Sequence, residues 1–553
     1  MDMRVLSRMF VLKGEEMVNV EELIEKAKQQ GQKTLVYAEE DLEYALKFYN
    51  LCAEVGIKPV IGQKIALMDS TVILLCKDME AYKILCRHSA KLSREKGRIR
   101  KLFFTEKELS HFICVSSAEE SMDEKITSQI PYIFPEDYFS FDNRVKRMMD
   151  NLPDVPFPEG INTAADYLNL LVNRGIKFRY GEQTPEIEAR VQHEVNTILA
   201  HHFEKYFLIL WEIAAMCRKR GIFYVTRFSK ASSSIVCYAL RITDIDPLKQ
   251  NLFFEFFFNL EKGIFPTVNF PLGKDIIQHL KNVYGEDCVV RHTYPSSVVI
   301  TKDPVCNHIP LKMESREVRG WSDDYSDVVK LTIRGPGFFA LCSNTYDLIR
   351  SRKDNNFTLS SIKLSDRKTA SWFKAVRIKS FSMFMLDKEV KKHLSKMKFG
   401  CTFSDIVLLE AFDFFPQALG AEEAADLAKK KKIKNLPAEA EAVLAPTYGK
   451  LIFQEQFIQL VQAVTGWDFN KADMLRSDMA KRKAACLEIE KSEFIECAMN
   501  RGLSEDTARE LYKLLFETSV WLVSKAYCVG QALIIWIESY FRAHYPSVFI
   551  ANE

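Results

Sequence analysis

An α/β and α+β multidomain fold is predicted by three observations. Near the N-terminus, capped helices alternate with short apolar strands. In the middle, strand-like runs at Ser297–Ile300 and Val328–Ile333 lie among helical segments. From about Thr345 onward the pattern is almost wholly helical. The 553 residues exceed one ordinary domain, and roughly three or four are expected from length.

Asn19 and Glu22 form a capping box for a helix over Val20–Gln29, and Gly31 ends it in the left-handed conformation. A strand at Thr34–Ala38, a helix at Asp41–Glu54 stopped by Gly56, and strands at Pro59–Ile61 and Thr71–Cys76 follow. Helices between short buried strands predict a parallel sheet or barrel. Met148–Gly160, with Pro153, Pro156 and Pro158, reads as a linker. Ile187, Val191, Val195, Ile198 and Leu199 make one apolar face of a helix over Glu186–His201. The runs Tyr206–Cys217 and Leu252–Phe258 read as buried core, and Ala231–Leu240 as a helix. The basic stretch Lys429–Lys434 interrupts the C-terminal helices, of which Glu505–Phe516 and Val529–His544 are the last.

A net charge of +2 excludes a protein dedicated to coating nucleic acid, so any such contact comes from local patches. The thirteen cysteines form no CxxC pair, which predicts a reduced compartment. No basic-then-apolar leader opens the chain, and no apolar run reaches the roughly 18 residues of a membrane span. The expectation is a cytoplasmic protein without a membrane partner.

Tyr206-Phe-Leu-Ile-Leu-Trp211, Ile242-Thr-Asp-Ile-Asp-Pro247 and Asn251-Leu-Phe-Phe-Glu255 together resemble the bacterial DNA polymerase III alpha subunit, a C-family replicative polymerase. Val20-Glu-Glu-Leu23, Ala45-Leu-Lys-Phe-Tyr49 and Gly56-Ile-Lys-Pro-Val-Ile-Gly62 are similar to its PHP domain. Leu444-Ala-Pro-Thr-Tyr-Gly449, Phe453-Gln-Glu-Gln456, Ala472-Asp-Met-Leu-Arg476, Met479-Ala-Lys-Arg-Lys483 and Ala543-His-Tyr-Pro546 are similar to its fingers. The resemblance implies a degenerate PHP-like α/β domain over 1–160. It further implies a palm-like domain of mixed sheet plus helices over 161–345, and a mainly helical fingers-like domain over 346–553.

The resemblance also says where the chemistry should be. Two palm aspartates of the family fall on Asn269 and Pro271, and the third on Thr332. None of these supplies the anionic ligand that two bridged magnesium ions require. The glycine-rich phosphate loop reads Arg227-Phe-Ser-Lys-Ala-Ser-Ser-Ser234, leaving Ser229, Lys230 and Ser234 as a phosphate-binding remnant. The PHP metal ligands fall on Leu6, Arg8, Ala38 and Glu39, where one carboxylate cannot hold a metal cluster. No cofactor is therefore expected, although the family uses Mg2+. Arg476, Lys481, Arg482, Lys483 and Lys525 are candidate DNA-phosphate contacts, with a solvated helix face as the alternative. Asp244 and Asp246 read as a turn and cap ahead of Pro247, and Asp323, Asp324 and Asp327 as a solvated loop. Val289–His292 leads almost directly into Pro295–Ile300, so the family's inserted thumb is expected to be missing. With Glu553 as the last residue, no sliding-clamp motif is expected.

The leading expectation is a catalytically degenerate polymerase relative in bacterial DNA replication or repair, binding DNA or replication or lesion-bypass proteins. One alternative is an active DNA polymerase using relocated carboxylates such as Glu255 or Asp275. Another is a pure protein–protein scaffold in a polymerase or lesion-bypass complex.

Overall fold

The computed structural model describes residues 20–95, 99, 101–116, 130–226, 230–271, 274–292, 297–314, 317–320, 327–334, 340–376, 402–414, 436–447 and 449–550. They form two compact units interleaved along the chain. The first comprises Met1–Asp166, Ile198–Ile209 and Leu272–Gly335; the second comprises Tyr167–Thr197, Leu210–Pro271 and Pro336–Glu553.

The first unit opens with the helix Val20–Gln29 and the strand β1 (Thr34–Glu39), followed by the helix Ala45–Glu54 and β2 (Lys58–Ala66). Gly31 and Gly56 follow the two helices at φ 68° and 78°, where a side chain would be strained. The second helix starts later than Asp41, because Asp41 forms a turn in which its Oδ1 accepts from the Glu43 N–H at 3.1 Å. β1 and β2 run parallel, Val36 opposite Val60, with this helix as their crossover.

The expected parallel sheet or barrel stops there. β3 (Thr71–Cys76) runs antiparallel to β2, and β4 (Phe112–Ser116) antiparallel to β3, so the sheet is mixed. Only Leu67–Ser70 joins β2 to β3, far short of the dozen or so residues that a parallel crossover needs. Both faces are covered. Leu35, Tyr37, Ile61 and Leu74 pack with helix residues on one side, and Val36, Val60, Leu75 and Val115 on the other. That is why these strands read as continuous apolar runs.

A second sheet in this unit contains β5 (Val289–His292), β6 (Ser297–Ile300), β7 (Leu311–Glu314), β8 (Glu317–Gly320) and β9 (Val329–Arg334). Within the unit the order is β9-β6-β5-β8-β7, antiparallel except for β5 beside β8. Residues 293–296 join the antiparallel pair β5 and β6. The expected linker is packed rather than free: Leu152 and Val155 are buried, and the Asn151 carbonyl accepts from Lys302 N–H at 2.8 Å.

In the second unit, Gly175 lets the helix Ala164–Tyr180 lie against the helix Ile235–Ala239. A Cβ there would stand 2.2 Å from the Ala239 carbonyl oxygen. The expected helix Ala231–Leu240 is broken. A 3-10 turn at Ala231–Ser233 precedes Ser234, whose extended backbone (φ −107°, ψ 124°) starts the α-helix afresh. The helix Lys525–His544, begun earlier than Val529, carries Trp536 and Phe541 into a core with Ile406 and Leu409 of the helix Phe403–Phe414. A second core joins Phe457, Leu460, Phe494 and Leu511 from the helices Gln454–Thr465, Ala484–Asn500 and Glu505–Thr518. Each such side chain contributes roughly 1.5–3 kcal/mol on burial. Among the described residues, no helix is long and apolar enough to cross a membrane.

Candidate functional site

The helix that begins at Ile235 points its free N–H groups at a protein carboxylate. Glu194, on the helix Pro185–Ala200, is fully buried and accepts from Ile235 N–H at 3.0 Å, Val236 N–H at 3.1 Å and Ser234 Oγ at 2.7 Å. Arg190 donates its Nε–H at 2.7 Å to Oε1, the oxygen that also accepts from Ile235, and bonds the Ser233 and Leu252 carbonyls. A helix N-terminus attracts an anion through its dipole and unsatisfied donors. Here the anion is built in. Ser234, expected as a phosphate ligand, is buried, and its hydroxyl donates to Glu194 while accepting from Cys237 N–H at 3.0 Å. Ser229 lies outside the described residues. Lys230 places its ammonium 5.1 Å from the centre of the Phe256 ring. Burial and nearby Arg476 push its pKa down, while Glu455 and Asp473 oppose them.

The same device recurs at the helix Lys525–His544. Glu455 is fully buried and accepts from Lys525 N–H at 2.7 Å, Ala526 N–H at 2.9 Å and Ser524 Oγ at 3.4 Å. Lys525, expected on a DNA surface, instead donates its ammonium to the Gln250 carbonyl at 2.6 Å, and burial lowers its pKa. Arg476 also turns inward: its Nε–H meets Asp473 Oδ1 at 2.7 Å, and Lys262 meets the other Asp473 oxygen at 2.6 Å. Lys481, Arg482 and Lys483 are exposed between the helices Phe469–Ala480 and Ala484–Asn500. Arg482 adopts φ 54°, stacks 3.9 Å from the Phe516 ring centre and bonds the Phe516 carbonyl; Lys483 pairs with Asp478 at 2.8 Å.

Three family models match consecutive parts of the chain. A PHP domain matches residues 2–155, the bacterial DNA polymerase III alpha NTPase domain residues 166–294, and the alpha subunit finger domain residues 340–502. The chain is a homologue of the bacterial DNA polymerase III alpha subunit. DNA polymerase III subunit alpha of Borreliella burgdorferi is 28% identical over 72% of this chain and 42% of its own length. The Treponema pallidum and Bacillus subtilis subunits are each 24% identical over 72% of this chain, covering 42% and 44% of their own lengths. The chain thus spans under half the length of these relatives.

At the positions where the alpha-subunit resemblance puts metal ligands, Asn269 is buried and Pro271 belongs to the short strand Phe270–Pro271, both in the second unit. Thr332 lies in the first unit on β9, opposite Ser297 of β6. Asp244 pairs with Arg179 at 2.7 Å, and Asp246 Oδ1 accepts from Leu248 N–H, Lys249 N–H and Tyr180 OH. Glu255 bonds His193 at 2.9 Å; burial alone would raise its carboxyl, but the His193 bond and a backbone donor bring it below its ordinary value. The side chain of Asp275 is outside the described residues.

In the PHP-like sheet, Leu6 and Arg8 lie outside the described residues, while Ala38 and Glu39 end β1. Burial, then Asp41, push the Glu39 carboxyl up to about 7 against the pull of Lys64. Asp323 and Asp324 are not among the described residues. Asp327 corrects the solvated-loop expectation, since it accepts from Arg147 Nε–H at 2.9 Å and from the Tyr138 hydroxyl. Among the described residues, no three His, Cys, Asp or Glu side chains converge as a metal site. Sequence reasoning missed Glu194 and Glu455. The local signal for Glu194 was its i,i+4 spacing from Arg190, and Glu455 sat unnoticed inside Phe453-Gln-Glu-Gln456.

Proposed function

We propose that this chain is a catalytically degenerate relative of the polymerase III alpha subunit. It serves as a DNA-binding component of bacterial replication or repair, in the cytoplasm. The observation that carries this reading is chemical: Asn269, Pro271 and Thr332 occupy the metal-ligand positions implied by the family resemblance, and none is anionic. Two magnesium ions bridged at a phosphoryl-transfer site need carboxylates to balance their charge. These residues do not fit that pair of ions.

Two further features support the reading. Glu194 occupies the helix start where a phosphate would dock. The shortness of the link 293–296 between the antiparallel strands β5 and β6 supports the expected lack of an inserted thumb. Relocated carboxylates are disfavoured at Glu255, which is engaged by His193. Exposed Lys481, Arg482 and Lys483 supply cations for phosphate contact without base readout.

Gel shifts on primed duplex over a salt series test the DNA-binding role. The expected result is binding at low salt with affinity falling by a slope of about 0.9 per phosphate contacted. Absence of binding at low salt overturns the DNA-binding role and points to a protein partner.

A further inference from the structure

Arg241 follows the helix Ile235–Ala239 and its cap Leu240 at φ 58°, a backbone position where glycine is the comfortable residue. A cationic side chain stands there at the expense of backbone ease. Its Nη2–H bonds Ser360 Oγ at 3.1 Å, while its Nε–H is buried without a hydrogen-bond partner. The charged side chains acting on this guanidinium are the cations Arg218 and Arg179 and the carboxylate of Asp244. Asp244 is already paired with Arg179. Arg218 is close at hand, donating to Tyr224 OH at 2.9 Å and to the Arg241 carbonyl at 3.1 Å. Cationic charge at this spot therefore exceeds the carboxylate that faces it.

Phe178 lies against the same guanidinium, 5.1 Å from the centre of its ring, yet it is 64% exposed. The Gly175 contact with Ala239 fixes this end of its helix beside Arg241. Arg174 and Lys177, on the same helix, are also exposed. An exposed aromatic face beside under-compensated guanidinium groups is suited to a base and its phosphate together. A phosphate that re-aims Arg241 would also satisfy the donor now left without a partner.

We infer that Phe178, Arg241 and Arg218 form a binding site for single-stranded nucleic acid, one base stacking on Phe178 and the adjoining phosphate held by the two arginines. The inference rests on the DNA-binding reading above but names a surface outside the fingers. It is tested by fluorescence anisotropy of the full chain with labelled oligothymidylate and with an abasic strand of equal length. Inorganic phosphate serves as competitor. The wild type is expected to prefer the oligothymidylate by about tenfold, and millimolar phosphate is expected to leave that preference intact. Phe178→Ala removes the preference and retains abasic affinity. Arg241→Gly, which suits the backbone, weakens both strands and lowers the salt slope by about 0.7, while its unfolding midpoint holds or rises. Wild-type affinity in both variants overturns the site. Loss of the signal to inorganic phosphate alone also overturns it, as an anion site without base recognition. A wild type that binds primed duplex but no single strand overturns this inference alone. One that binds neither overturns the earlier reading with it.

Discussion

Glu194 in the second unit and Glu39 in the first are both withdrawn from water, but their surroundings differ. Glu194 is fully buried and meets two backbone N–H groups, a serine hydroxyl and an arginine. Glu39, at the end of β1, is dominated by burial and by the like charge of Asp41, which lift its carboxyl to about 7. A carboxylate that stabilises a fold is surrounded by donors, because removing it from water otherwise costs more than its contacts return. Glu39 carries that cost at a position where the family resemblance implies a metal ligand. The first glutamate is part of the scaffold; the second bears a cost of burial that its neighbours do not offset.

The largest effect expected from this contrast is at Glu194. Glu194→Ala leaves Arg190 and the helix start at Ile235 without their carboxylate, and should destabilise the second unit by about 3–5 kcal/mol in urea unfolding. A loss under about 1 kcal/mol would break the comparison by making Glu194 dispensable. Glu455→Ala comes next at about 2–3 kcal/mol. It uncaps the helix Lys525–His544, but among the described residues no arginine is hydrogen-bonded to Glu455 as Arg190 is to Glu194.

Glu39→Gln has the opposite sign. The folded-state pKa of Glu39 is raised, so the folded chain favours the proton and loses stability as pH climbs from about 4.5 towards 7. The variant should therefore be more stable than wild type by about 1–2 kcal/mol at pH 8, after allowing for partial exposure, and no more stable at pH 4. Thermal unfolding at the two pH values measures it.

The smallest effect is at the neighbour of Glu194. The hydrogen bond to Glu255 raises the His193 pKa, and Glu255 is held below its ordinary value. The histidine contribution is complete below its unfolded pKa of about 6.5 and fades as pH rises through the folded value. The Glu255 contribution is present above about 4.3 and fades as pH falls through its folded value. His193→Gln should cost less than about 1 kcal/mol, because the pair is half in water. The loss should appear near pH 5–6 and vanish by pH 9; a loss unchanged at pH 9 would remove the charge argument.

Local signals carried the fold as far as local physics reaches. The helix Val20–Gln29 has the boundaries its capping signals predict, and the strand Ser297–Ile300 those of its apolar run. The direction of β3 was not legible, because the apolar run marks the preceding strand only as Pro59–Ile61, whereas the fold extends it to Ala66 and shortens the link to Leu67–Ser70. The break at Ser234 was harder to read, since the carboxylate that restarts the helix lies forty residues upstream. The same holds for the candidate cations. Sequence identifies Lys525 and Arg476 as charges, but only the fold assigns them to the Gln250 carbonyl and to Asp473. Lys481, Arg482 and Lys483 stay exposed because they cross between two helices.

On the proposed reading, Glu194 and Glu455 cap helices, while the metal-ligand positions implied by the family resemblance hold Asn269, Pro271 and Thr332. Primer extension by the purified chain on a primed template, first with Mg2+ and then with Mn2+, tests it most directly. No template-dependent incorporation above background is expected with either ion. Incorporation that follows the template and disappears on substituting Glu255 or another palm carboxylate would contradict it.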